Sequence, residues 1–380
     1  MPGLINKSNK SVSAVALLVA GAFFMEFLDG TVIATALPYM AKTFSTEVTR
    51  LNLGISAYLL TLAVLIPVSG WIADRYGAKN VFSLALAIFT LSSVLCGLSD
   101  NLPMFVAMRI LQGAGGALMV PVGRLAVLKN TPKDQLITAI ATLTWPALVA
   151  PIIGPPLGGF ITDYFNWRWI FFLNLPLGIA GFILARRLMK NNSDTEKRPF
   201  DVAGFILSTL SMIGFVCSME MVSSSVPIIL TLGLLLISLA GFWLSWRHMT
   251  RVPEPMIRMD ALAIPTFRAT LVGGFLFRAA ISAVPFLLPL MFQVGFHMDA
   301  FHSGLLVLAV FAGNLAIKPA TTSILRAFGF KTVLTINGFL NVLGMVICAF
   351  FTAQTPHALI MLVLFLGGVV RSLQFTAINT

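Results

Sequence analysis

The chain has 380 residues, 58% hydrophobic and only 10% charged, with a mean hydropathy of +0.92. A soluble domain carries about 25% charged residues and must cover its surface with polar groups, so this composition excludes one and leaves the bilayer as solvent. A net charge of +11 would suggest nucleic acid in a soluble protein; in a membrane protein it marks cytoplasmic loops, and no nucleic-acid partner is expected.

A spanning helix needs about 20 apolar residues. The first such run, 13–37, follows Lys7 and Lys10 but exceeds the length of a signal-peptide core and contains Glu26 and Asp29. It reads as a first span and not as a cleaved leader. Further runs follow at 51–70, 80–99, 103–128, 135–162, 169–188, 201–219, 226–246, 266–292, 303–323, 332–352 and 357–380, predicting twelve helices.

Between the second and third runs lies Gly70-Trp-Ile-Ala-Asp74-Arg75-Tyr-Gly77-Ala-Lys79. A tight turn between spans needs glycine where the backbone bends or helices close up, and Asp74 can cap a helix or pair with a base on a neighbouring helix. The fourth run contains Arg109-Ile-Leu-Gln112-Gly113-Ala-Gly115-Gly116-Ala117. An arginine inside a span costs at least about 2.5 kcal/mol and must face a partner or a wet cavity, while the glycines form a face for close helix packing. Asp29 and Arg109 both lie roughly 9–12 Å deep from the same side, so a pair between them is expected to match in depth. In the fifth run, Trp145-Pro146, Pro151 and Gly154-Pro155-Pro156-Leu-Gly158-Gly159 predict a bent helix lying flush against a neighbour. Interrupted helices of this kind point to the substrate path of a transporter.

Tyr76-Gly77-Ala78-Lys79-Asn80-Val81 recurs as Phe328-Gly329-Phe330-Lys331-Thr332-Val333, the second copy joining the tenth and eleventh runs. In a six-plus-six arrangement it would join the eighth and ninth. The displacement predicts an N-terminal half, 1–188; a loop and two inserted helices, 189–250; and the first four helices of a second half, 251–380. Six helices are expected in that second half and the chain stops at Thr380 with no polar tail, so it reads as a fragment lacking two helices. A fragment that does not transport is one outcome of that reading.

Of the 25 Lys and Arg, Lys42, Arg50 and Arg168 fall on one side, Arg109, Arg124, Arg278, Lys318 and Arg371 within spans, and the remaining seventeen on the other side. That bias places the N-terminus in the cytoplasm.

Together these runs resemble the major facilitator superfamily. The first loop is similar to its inter-helix motif, Arg109–Ala117 to the span-four motif associated with proton coupling, and Gly154–Gly159 to the antiporter motif of span five. Leu28-Asp29-Gly-Thr31-Val-Ile-Ala34-Thr-Ala36-Leu37-Pro38 and Trp167-Arg168-Trp169-Ile-Phe-Phe-Leu-Asn174-Leu-Pro176 resemble the fourteen-helix drug:proton antiporters of the EmrB/QacA type. Ala34 stands where that family usually has Asn, and the second-half loop lacks the Gly and Asp of the first. The resemblance implies an all-α membrane protein of the major facilitator fold, in a bacterial cytoplasmic membrane, exporting small molecules against protons and needing no cofactor. A periplasmic adaptor is compatible with such an exporter, but no residue of the sequence supports one.

Asp29 and Glu26 are the acids well within spans, and a desolvated carboxyl can bind a proton near neutral pH. They are assigned with Arg109 to proton coupling. Arg278, Arg371, Lys318 and Gln112 are assigned to the substrate cavity, and Gly70, Asp74, Arg75, Gly77, Gly154, Pro155, Gly158 and Gly159 to gating and packing. Four embedded cations, Arg109, Arg278, Lys318 and Arg371, outnumber the two acids. That excess favours a carboxylate or phosphate cargo, where the family resemblance implies drugs, so both readings stay open. Cys96, Cys217 and Cys348 have no metal-ligand spacing, and the four histidines are scattered, so neither a metal site nor a membrane enzyme is expected. The absence of a GxxxxGK[ST] loop speaks against an ATP-driven pump.

Overall fold

The computed structural model describes residues 2–132, 135–190, 199–222, 226–257 and 259–379, with side chains from Ala14 onward apart from those of Asn130, Ile137, Thr138, Ala141, Thr144, Ala147, Leu148, Ala261, Ala269 and Asn379. Lys133, Arg258, most of the charged loop 189–199 and the side chains of Lys7 and Lys10 lie outside the described residues. Every predicted run is helical: α1 (Pro2–Thr43), α2 (Asn52–Tyr76), α3 (Ala78–Gly97), α4 (Leu102–Asn130), α5 (Leu136–Tyr164), α6 (Trp169–Phe172), α7 (Asn174–Leu188), α8 (Val202–Val222), α9 (Ile228–Met249), α10 (Pro265–Ser282), α11 (Val284–Leu290), α12 (Ala300–Ala316), α13 (Lys318–Ala349) and α14 (His357–Asn379). Among the described residues ten helical stretches are long and apolar enough to cross a membrane. Ile229 is 75% exposed and Phe339 72%, a surface that only lipid makes affordable.

Proline and glycine decide where the runs break. The ninth run divides into α10 and α11 beside Pro285 and ends in a π turn after Pro289. The tenth and eleventh runs meet at Gly329, whose φ of 74° and ψ of 157° interrupt α13. Gly77, between α2 and α3, adopts φ 83° and ψ 133°. The two sequence copies therefore share one left-handed glycine turn, which a residue bearing Cβ adopts only with strain.

The chain divides into two compact units. The first comprises Met1–Glu26, Thr43–Pro146 and Phe171–Ala261. Glycines of α4 set its packing. A Cβ on Gly115 would stand 2.7 Å from the Phe89 nitrogen and 2.8 Å from the Ala85 carbonyl oxygen of α3, and one on Gly113 would stand 2.8 Å from the Tyr58 carbonyl oxygen of α2. The helix touches both neighbours backbone to backbone, as small residues permit in lipid. The hairpin α8–α9 closes the same way: a Cβ on Gly214 or Gly241 would strike Ser238 or Ser211.

Asp201 caps α8. It accepts from the Gly204 N–H at 2.8 Å, the His248 ring at 2.8 Å and the Met256 N–H at 3.2 Å. Burial alone would raise its pKa, but these donors outweigh it and hold the carboxyl below its ordinary 3.8. A depressed folded value means that the native state binds fewer protons, so this stabilisation is complete above the ordinary carboxylate range and disappears as pH falls through the folded value. Asp201→Ala is expected to lower stability by about 1 kcal/mol at pH 7 and to flatten the acid limb of thermal unfolding followed in detergent. An unchanged acid limb excludes this role for the cap.

The second unit comprises Phe27–Lys42, Ala147–Ile170 and Leu262–Thr380. Its apolar core gathers Leu288, Phe292, Leu306, Val307, Val310, Ile360 and Leu364. The helices α12 and α14 cross at Gly313 and Gly368, where a Cβ would meet the carbonyl oxygens of Phe365 and Val310.

Candidate functional site

In the first unit a polar cluster is buried among α1, α2, α3 and α4. Arg109 is 1% exposed and Gln112 is fully buried. One turn of α4 separates them, so the Arg109 Nη1 donates to Gln112 Oε1 at 2.7 Å. The guanidinium also lies 4.2 Å from the ring centroid of Tyr58 on α2, and Cys96 Sγ of α3 donates weakly to the same Gln112 oxygen at 3.7 Å. A desolvated cation is thereby held by a carbonyl dipole and an aromatic face. A Cβ on Gly116 would stand 3.3 Å from Tyr58 Oη and 3.4 Å from Glu26 Oε2. The absent side chain leaves the room in which this carboxyl and the phenol converge. Glu26, Arg109 and Gln112 thus belong to one unit, whereas Asp29, 6% exposed, belongs to the other.

In the second unit α5 uses its glycines on two faces. A Cβ on Gly154 would strike Thr31 of α1, and one on Gly158 would stand 2.6 Å from the Val32 carbonyl oxygen. On the other face, Gly159 lies against the Ala300 carbonyl and Pro155 presents its carbonyl to Gly304, so α5 and α12 meet through backbone. Beyond this contact stands Asp163. Its Oδ1 accepts from Tyr39 Oη of α1 at 2.5 Å, and its Oδ2 accepts from the Phe301 N–H at 2.7 Å. Asp299, the cap of α12, accepts from the His302 N–H at 2.7 Å. Two carboxylates therefore satisfy successive orphan donors at the positive end of α12. Asp163 ties α1, α5 and α12 together.

Also in this unit, three cations converge on one stretch of α14. Lys318 Nζ donates to Thr376 Oγ1 at 3.2 Å. The Arg278 guanidinium lies 5.4 Å from the Phe375 ring. Arg371 buries Nη1 with no hydrogen-bond partner among the described residues, as do Ser372 Oγ and Gln374 Oε1.

The loop after α2 pairs Asp74 with Lys129 of α4 at 3.0 Å, both about half-exposed, an arrangement worth little by itself. The Arg75 guanidinium stands 5.6 Å from the Trp71 ring. Gly77 supplies the turn. Gly70 has neither reason considered for it: it sits inside α2 with nothing within 4 Å of a Cβ, so the bend falls wholly on Gly77.

Sequence reasoning passed over Tyr39, Tyr58 and Asp163. Asp163 falls one residue beyond the predicted end of the fifth run, and a hydroxyl in an apolar helix says little until its neighbours are known. Among the described residues no group of three His, Cys, Asp or Glu side chains could hold a metal.

The sequence matches the Major Facilitator Superfamily over residues 19–380. It is 36% identical over 364 residues to a Pectobacterium carotovorum protein named "Putative multidrug resistance protein MdtD", covering 96% of this chain and 78% of that one. A protein of the same name from Salmonella paratyphi B is also 36% identical, over 96% of this chain and 77% of its own length. Among solved structures the fold is similar to a D-xylose-proton symporter (TM-score 0.65, 14% identity, 96% of this chain and 80% of that one). It is also similar to the nucleoside transporter NupG (TM-score 0.58, 14% identity, 97% and 80%).

Proposed function

The chain belongs to the major facilitator superfamily, and on that premise we propose that it is a proton-coupled secondary transporter that exports small organic compounds of the multidrug type by alternating access. It is a multi-pass membrane transporter of small molecules and not an enzyme. The reading places it in a bacterial cytoplasmic membrane with the N-terminus inside. It takes 1–188 and 251–380 as parts of two repeated halves around 189–250, a division supported by the left-handed turn shared by Gly77 and Gly329.

The observation that carries the coupling is the buried cluster of Arg109, Gln112, Tyr58 and Glu26. In this reading Glu26 is the proton carrier. A proton on its carboxyl removes a negative charge from a site that holds a desolvated cation, and so shifts the preference of the surrounding helices between two packings. Asp29 is the second candidate carrier. The multidrug character is supported by the name carried by the 36%-identical relatives. The gating role of α5 is supported by its backbone contacts with α1 and α12.

The test uses inverted membrane vesicles under an imposed proton gradient, with a lipophilic cation and a tricarboxylate as cargoes. Glu26→Gln is expected to lose gradient-driven uptake while retaining cargo exchange in the absence of a gradient. Undiminished gradient-driven uptake by both Glu26→Gln and Asp29→Asn rejects carboxyl-based coupling. A second reading, export of an organic anion such as a carboxylate or its metal chelate, is favoured by Lys318 and Arg278 meeting α14 beside Arg371 and by the buried Arg371 nitrogen, since arginine grips carboxylates bidentately. Uptake of the tricarboxylate and not of the cation, abolished by Arg371→Gln, decides for that reading.

A further inference from the structure

An apolar groove of about 370 Å³ runs down the first unit between the early part of α1 and α7, floored by Leu86 of α3. Its walls run antiparallel, from Ala14 to Met25 on α1 and from Leu188 back to Leu177 on α7. Each wall advances by about eleven residues, which at 1.5 Å per residue is about 16 Å. That is one leaflet of a hydrocarbon core about 30 Å thick. The groove is open along its side: Leu17 is 64% exposed and Leu184 43%. Gly21 lines it with nothing within 4 Å of where a Cβ would stand.

At the Leu188 end the character changes. Arg186, Arg187 and Lys190 are all exposed there. Arg187 lies one turn beyond Leu184 on the same stripe of α7. Arg186 is held at the mouth, its Nη1 donating to Asn80 Oδ1 of α3 at 3.2 Å, which leaves other guanidinium N–H groups for an acceptor. A leaflet-deep apolar channel ending beside exposed guanidinium groups, one of them held by Asn80, matches one kind of molecule in a membrane: an acyl chain below, an anionic phosphate above.

We propose that this groove is a binding site for one anionic phospholipid, its acyl chain lying between α1 and α7 and its phosphate gripped by Arg186 and Arg187. The site is independent of the transport reading, since it touches neither the Arg109 cluster nor the contacts of α5.

The purified full chain, stripped of lipid, is titrated with phosphatidylglycerol or with phosphatidylcholine of identical chains, and bound lipid is counted by native mass spectrometry. One phosphatidylglycerol is expected to bind in preference to phosphatidylcholine, and Arg186→Gln with Arg187→Gln is expected to weaken it about tenfold or more. Gly21→Phe, which fills the channel and leaves the guanidinium groups in place, is expected to weaken it comparably. Because either change could disturb folding, phosphatidylglycerol with a photoreactive terminal chain carbon is also applied to the wild-type protein; it is expected to label peptides within 14–25 and 177–188. Equal binding of the two lipids, retention by Gly21→Phe, labelling confined to other helices, or a dimer that seats a second copy in the groove and excludes lipid each overturns the proposal.

Discussion

Arg109→Met is expected to abolish transport and to lower stability by about 2 kcal/mol, the cost of a buried acceptor left without its charged donor. The reason is a contest between two effects at one position. Arg109 is 1% exposed, and its Nη1 bond to Gln112 and its place over Tyr58 offset the cost of keeping a charge out of water without removing it. Methionine fills a similar volume and removes the buried charge, but it leaves the Gln112 oxygen without its guanidinium donor, and removing one member of a buried polar pair is destabilising. Arg109→Ala leaves a cavity as well, and is expected to lower stability by about 3 kcal/mol. Arg109→Lys keeps the charge, but a point ammonium cannot hold an amide oxygen and cover a ring with the same planar group, so transport is expected to fall strongly there too. Transport assays in vesicles and thermal unfolding in detergent separate the three variants. Wild-type transport by Arg109→Met removes Arg109 from the working cluster.

The second large effect is expected at Gly159. A methyl at this position is directed at the Ala300 carbonyl, with the Phe301 Cα 2.7 Å away. Both obstacles are backbone, so no rotamer relieves the clash and α5 must part from α12. The displacement also strains the Asp163 bond to the Phe301 N–H. Gly159→Val is expected to cost about 3 kcal/mol, the upper range of overpacking, with loss of transport. Gly70→Ala is the control. It too lies in a helix, but with open space around a Cβ, so alanine's better helix propensity is expected to raise stability by up to about 1 kcal/mol. Equal effects at the two positions, read by thermal unfolding, contradict the backbone-contact assignment.

The fold was legible because lipid enforces its rule locally. Each span must satisfy its own backbone, so run length alone announced the helices, and the recurrence of Tyr76-Gly77 as Phe328-Gly329 foretold a shared turn that both glycines adopt at positive φ. The prolines singled out in the sequence for a bend lie in α5, one helix from Leu136 to Tyr164; the ninth run divides beside Pro285 instead, and where the helices divide around Ile317 and Gly329 depended on the course of α13.

Which charges meet which partners was decided elsewhere. Depth along a helix says nothing about azimuth or neighbours, so the convergence of Glu26 and the Tyr58 phenol beside Gly116 was not legible. The partners of Arg109 include a glutamine one turn along and a tyrosine from another helix, and only packing of α2 on α4 through Gly113 brings that ring over the guanidinium. Asp163 gains its meaning from Tyr39, 124 positions away in sequence, and from the first turn of α12. By itself the sequence determined that the chain lives in lipid, where its helices lie and which side chains are too polar to be idle there, because hydrophobicity and backbone hydrogen bonding act over neighbouring residues. Tertiary structure alone decided the pairings, because contacts between helices far apart in sequence depend on which faces pack together.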